Sequence, residues 1–194
     1  ARAISMVGIA MFDAVNAASG AAYDPYDYQG GAVTGLSQDA VALASGYTMM
    51  ANLFPGLSTS LLAELNYKLD ALALTDAQRA SSLAFGQSVA NNLFAARATD
   101  GSATAQYAYV PGTNLGDFQP TQASAPVLPG WGNVKPFGVE SSGQFEVGPP
   151  PAVGSAEWIA DYNQVKALGC STCGTAESRL IATFWASGAG SYTP

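Results

Sequence analysis

The chain has 194 residues, 48% hydrophobic and only 11% charged, with 7 basic against 14 acidic side chains and a net charge of −7. That length suits one domain, or one domain and part of a second, and the apolar content excludes a disordered chain. Seven scattered basic residues exclude the positive patch that a nucleic-acid partner requires, and no apolar run reaches the ~18 residues of a spanning helix.

Residues 1–20 are predicted helical, because Ile4, Val7, Met11, Val15 and Ala18 recur at three- and four-residue steps and Gly20 offers a stop. The amino terminus has one Arg and no cleavage pattern, so no signal peptide is visible, and the chain is expected to begin inside a helix as a processed or truncated product. Residues 21–35, with Pro25 and three tyrosines, read as a loop. Ser37 is a good N-cap for a helix over 37–54, which Pro55-Gly56 ends. A third helix is expected over 58–73, with Leu61, Leu62, Leu65, Leu69 and Leu72 on one side and Glu64 four residues before Lys68 on the other. Thr75 and Gln78 fit a capping box for a fourth helix, over 75–99, closed by Asp100-Gly101.

The composition changes over 101–154, which holds eight of the eleven prolines and many glycines. Its aromatics (Tyr107, Tyr109, Phe118, Trp131, Phe137, Phe145) predict an extended strap packed across a helical body. Ser155 caps a fifth helix over 155–169, with Trp158, Ile159, Tyr162, Val165 and Leu168 apolar. Thr175 caps a sixth, over 175–187, with Leu180, Ile181, Phe184 and Trp185 on an apolar face. The expected class is all-α, a helical bundle with a long Pro/Gly-rich irregular strap. Its three parts are a four-helix region over 1–99, the strap over 100–154 and two further helices over 155–194. The sixth helix face predicts docking, either on a second polypeptide or on copies of the chain.

The chain has no histidine. A Ser-His-Asp triad, a Cys-His pair, a His-ligated metal and a His general base are therefore excluded within it. Cys170 and Cys173 stand as Cys-Ser-Thr-Cys before a helix start. The spacing leaves three readings: a local disulfide of an exported protein, periplasmic or extracellular; two free thiols; or a redox pair. Asp24, Asp27 and Asp117 could give oxygens to calcium, but they show no EF-hand spacing and suit turns. Glu140 and Glu146 are two loop carboxylates without a glycosidase signature. Asp13 and Asn16 are candidates for structural support. A mid-helix carboxylate, if buried, must be paired, and a loop backbone or an Arg would serve.

Several segments together resemble one family. Residues 2–17, from Arg2-Ala3-Ile4-Ser5 to Met11-Phe12-Asp13-Ala14-Val15-Asn16-Ala17, resemble the first helix of bacterial proteins related to vanadium-dependent haloperoxidases. These share a superfamily with type-2 phosphatidic acid phosphatases. Leu128-Pro129-Gly130-Trp131-Gly132-Asn133-Val134-Lys135-Pro136-Phe137 is similar to that family's linker, as is Pro149-Pro150-Pro151 followed by Ser155-Ala156-Glu157. Ile181-Ala182-Thr183-Phe184-Trp185-Ala186 resembles the next helix.

The resemblance implies a helical fold that is incomplete here, leading into a carboxy-terminal bundle that binds vanadate or phosphate. The family does so with a Lys-(six residues)-Arg-Pro motif, a Pro-Ser-Gly-His motif and a later Arg and His. None is present: the seventh residues after Lys68, Lys135 and Lys166 are Thr75, Ser142 and Cys173. No catalytic, cofactor-binding or metal-binding residue is carried over, and no cofactor is expected in this chain, vanadate being implied for the complete protein. The expectation is a scaffold-forming amino-terminal part of a haloperoxidase-like enzyme, inactive alone, whose partner is that bundle or a second chain. The alternatives are part of an acid phosphatase, or a helical assembly protein that kept only the scaffold.

Overall fold

Six α-helices form in a computed structural model that describes residues 1–120, 125–170 and 172–186, with no strand among them. They are α1 (Arg2–Ala18), α2 (Gln38–Leu53), α3 (Ser58–Asp70), α4 (Asp76–Ala96), α5 (Ala156–Leu168) and α6 (Ala176–Trp185). Their starts follow local chemistry. Ser37, Thr75, Ser155 and Thr175 each accept a backbone N–H of the first turn, and Thr75 with Gln78 closes a reciprocal capping box. Predicted residue 187 of the sixth helix lies outside the described residues.

The third and fourth helices end earlier than their sequences suggest. After Asp70 the chain turns, with the Leu72 N–H on the Leu69 carbonyl. After Ala96 the Asp100 N–H bonds the Arg97 carbonyl, and Gly101 takes a left-handed φ of 92°. The Arg97 side chain there is buried against Asp100, a local ion pair at the turn that follows α4.

The chain forms two units. The first comprises Ala1–Tyr107 and Leu128–Gln144, and the second Ala108–Val127 and Phe145–Pro194. Residues 100–154 are therefore shared between both.

In the first unit, α1, α2 and α4 enclose the core. Met6 clusters with Met49 and Leu93, and Ala14 with Val41 and Val89, so α1 runs against α2 and α4. The Ser37 N–H on Ser82 Oγ (3.0 Å) and Asn52 Nδ2 on Asn91 Oδ1 (2.9 Å) show α2 and α4 running the same way. Helix α3 carries the chain back between them, seating Leu65 and Leu69 against Ala40. Small side chains let the axes come close. Buried Gly86 faces Ala44, Val41 and Ser45 of α2, and buried Gly46 faces Met11 of α1.

The second unit has no buried residue among those described. Its helices α5 and α6 expose Ile159, Tyr162, Val165, Leu180, Ile181, Phe184 and Trp185. No described helix is long and apolar enough to cross a membrane.

Candidate functional site

Two polar stations lie inside the first unit, and both start on α1. Asp13 is 1% exposed. Its Oδ1 accepts the Tyr26 N–H at 2.8 Å, and its Oδ2 accepts those of Asp27 (2.8 Å) and Tyr28 (3.0 Å). One turn later, the Asn16 amide bonds both backbone groups of Tyr23. Nδ2 donates to the carbonyl at 2.7 Å, and Oδ1 accepts the N–H at 3.1 Å. The two side chains thus fold loop 21–35 onto α1, and Asp13 meets a loop backbone rather than an Arg. Tyr28 then packs edge-on against Phe85 of α4. Between Asn16 and this loop lies a cavity of about 240 Å³, walled by Tyr23, Asp24, Tyr28 and Gln29.

Substituting Asp13 by Ala leaves three loop N–H groups without their acceptor. A loss on the order of 3 kcal/mol is expected, since hydrogen bonds to a charged group contribute more than neutral ones. Urea denaturation checks it.

Burial and the nearby Asp13 carboxylate push the Asp27 carboxyl above its ordinary 3.8, with Lys135 opposing. A raised value in the folded state means the Asp27 contribution is present at low pH and lost as pH rises through that value. Asp27→Asn is therefore expected to be more stable than the wild type at pH 7, the difference shrinking below pH 3.8. Urea midpoints at both pH values decide it.

The second station joins the first turn of α1 to the end of α4 and to residues 131–137. Asp100 Oδ2 accepts Arg2 Nε at 2.8 Å and Arg97 Nε at 3.1 Å, and its Oδ1 accepts the Ser102 N–H at 3.0 Å. Arg97, 2% exposed, also donates to the Lys135 and Pro136 carbonyls and stacks 3.9 Å from the Phe137 ring. Arg2 Nη2 donates to the Arg97 carbonyl. Burial raises the Asp100 carboxyl, but hydrogen bonds from Arg2 and Ser102 and the Arg2 charge outweigh it, holding the group well below the usual carboxylate range.

Of the other basic side chains, Lys68 pairs with Glu64, Arg79 with Asp70, and Arg179 with the Cys173 and Gly174 carbonyls, while Lys135 lies in the segment that the cluster bonds and its charge acts on Asp27. The guanidiniums of Arg2 and Arg97 converge, and both bond Asp100 and main-chain carbonyls. An oxyanion such as vanadate needs several convergent free donors, which these two engaged groups are not.

Comparison of the chain with family models, with curated proteins and with solved structures gives no match.

The other candidates fall as follows. Cys170 and Cys173 are joined by a disulfide in the α5–α6 connection. Asp117 accepts the Asn114 N–H at 2.7 Å, shaping a turn. No three acidic or Cys side chains gather as a metal site among the described residues. Glu140 belongs to the first unit and Glu146 to the second.

Sequence reasoning missed the Arg2–Asp100–Arg97 cluster. Asp100 read as a helix terminator, and the two arginines as scattered charges. A usable signal was present: an Arg at the C-cap of a helix, three residues before an Asp.

Proposed function

We propose that this chain is a scaffold: the helical part of a vanadium haloperoxidase-like protein, whose oxyanion chemistry belongs to residues outside it. The observation that carries this reading is the character of α1. Its inner face (Met6, Ala10, Ala14, Ala17) fills the core. Its exposed side chains (Ile4, Met11, Phe12) and Gly8 carry no charge, and Phe12 is 43% exposed. Only two ionisable side chains lie on the helix, Arg2 and Asp13, and both bond within the unit. A helix with apolar side chains on both its inner and its outer side suits the middle of a larger bundle. The outer face borders a groove of about 460 Å³ lined by Gly8, Met11, Phe12, Val15 and Tyr23. The exposed apolar side chains of α5 and α6 support the same reading.

Acid phosphatase chemistry in the complete protein is the alternative within the same scaffold role. An assembly protein is favoured separately by the exposed Leu180, Ile181, Phe184 and Trp185 of α6, which suit packing between copies.

The test has two parts. The purified chain, with vanadate added, is expected to turn over neither a halogenation substrate with peroxide nor a phosphate monoester, and turnover of either overturns the scaffold reading. Light scattering then compares the wild type with Phe12→Asp, Phe184→Asp and Trp185→Ser. The scaffold reading expects the variants to alter self-association or raise solubility. A wild type that is a stable monomer, unchanged in size and stability by all three, defeats it.

A further inference from the structure

We propose that Cys170–Cys173 is an exchange-active disulfide: a dithiol opens it by attack at Cys170, Cys173 leaves, and the opening loosens the connection between α5 and α6. This is independent of the scaffold reading, because it rests on the second unit alone.

The two sulfurs have different surroundings. Cys170 is exposed and Cys173 half-buried, so an incoming thiolate reaches the Cys170 sulfur first. The Thr172 hydroxyl lies 3.4 Å from Cys170 Sγ and can donate only in that direction while the sulfur is in the disulfide. Arg179 Nη1 donates to the Cys173 carbonyl at 3.0 Å and the Gly174 carbonyl at 3.1 Å, which keeps a guanidinium against the backbone of the leaving cysteine. A nearby cation favours a thiolate. Once protonated, the Cys173 thiol has an acceptor in the Lys166 carbonyl, 3.9 Å away. A cavity of about 380 Å³ lined by Leu168, Gly169, Cys170, Arg179, Ala182 and Thr183 borders the attacked sulfur. It gives room for an apolar side chain next to the attacking cysteine of a peptide or protein dithiol.

The chemistry balances in two steps. The first thiolate of the dithiol bonds to Cys170 Sγ, the Cys170–Cys173 bond breaks, and Cys173 departs as a thiolate that takes a proton from water. The second thiol of the partner, deprotonated, then attacks its own sulfur in the mixed disulfide and expels Cys170 as a thiolate. Two electrons pass to this chain, and the dithiol becomes a disulfide.

The structural consequence follows from burial. No residue of α5 or α6 is buried, so no core holds the two helices when the cross-link between them is gone. The first unit has its own core and contains neither cysteine.

The full 194-residue chain serves for the test. It is incubated with dithiothreitol in native buffer and in urea, and free thiols are alkylated and counted by mass. Opening in native buffer within about tenfold of the urea rate is expected for an accessible, exchange-active bond, and slower opening overturns the proposal. The wild type is then treated briefly with reduced glutathione, quenched with acid and mapped by mass. Glutathione is expected on Cys170. Equal labelling of the two cysteines, or glutathione on Cys173, refutes the assigned order of attack. Hydrogen exchange of the reduced wild type is expected to rise over 156–168 and 176–185 and to stay unchanged over 1–107. No rise in the two helices refutes the loosening.

Discussion

Gly86→Ala is expected to destabilise the first unit, although alanine is the better helix former. A Cβ at this position would lie 2.7 Å from Ala44 Cβ, 2.8 Å from the Val41 carbonyl oxygen and 2.9 Å from Ser45 N. Two of these three atoms belong to the α2 backbone and cannot turn aside like a flexible side chain. The helices must separate, which loosens Val41, Val89 and Ala14 around them. Overpacking of this kind costs about 1–3 kcal/mol. It opposes a helix-propensity gain of about 1 kcal/mol. Gly8→Ala is the control. It is also inside a helix, with nothing within 4 Å of the added atom, and is expected to gain up to about 1 kcal/mol. Larger residues separate the two sites further: Gly86→Leu should fail to give a cooperative unfolding transition. Thermal unfolding of the two alanine variants side by side reads the difference, and equal melting temperatures refute the close-approach argument.

The second large effect is expected at Asp100. Among the described residues, its carboxylate is the only anion bonded to Arg2 and Arg97, whose own side chains are 20% and 2% exposed. Asp100→Ala strands buried positive charge, and breaking a buried pair from one side costs about 3–5 kcal/mol. For a chain of this size that lowers the melting temperature by roughly 6–20 °C. The pH dependence has a definite sign. The folded-state value lies below the ordinary 3.8. The contribution is therefore complete above pH 3.8 and is lost as pH falls toward the folded value, by at most about 1.4 kcal/mol per pH unit for that one proton. Asp100→Asn should remove that acid limb. Urea midpoints between pH 2 and 5 test it, and parallel curves for wild type and variant refute the assignment.

Much of this architecture was legible from short-range chemistry. Caps at Ser37, Thr75, Ser155 and Thr175, and breaks at Gly20, Pro55-Gly56 and Asp100-Gly101, depend on residues only a few positions apart. The Asp13 reasoning also needed only local physics: a carboxylate inside an apolar helix requires donors. The chain supplies them 13 to 15 residues later, within one loop. The Arg2–Asp100 pair joins residues 98 apart, and no periodicity or spacing rule reaches that far. Arg97 was harder still, because two of its acceptors are main-chain carbonyls, which any residue type offers. The faces of α5 and α6 were readable as apolar, but what covers them is not written in the faces themselves.

The reach of Arg97 also orders events on the ribosome. Helices α1 to α4 can assemble as soon as residue 96 has emerged. The guanidinium of Arg97 must then wait for the Pro136 carbonyl, 39 residues downstream. At synthesis rates of about 5–20 residues per second, that delay lasts roughly 2–8 s. During it, the bundle has its apolar core but an open polar end, where Arg97 stays hydrated and Asp100 meets only Arg2, Arg97 and Ser102. Residues 128–144 act as a late clasp that closes a body already shaped. A nascent chain stalled before residue 136 should therefore protect α2 and α4 from proteolysis while leaving the Arg97 end of the bundle cleavable.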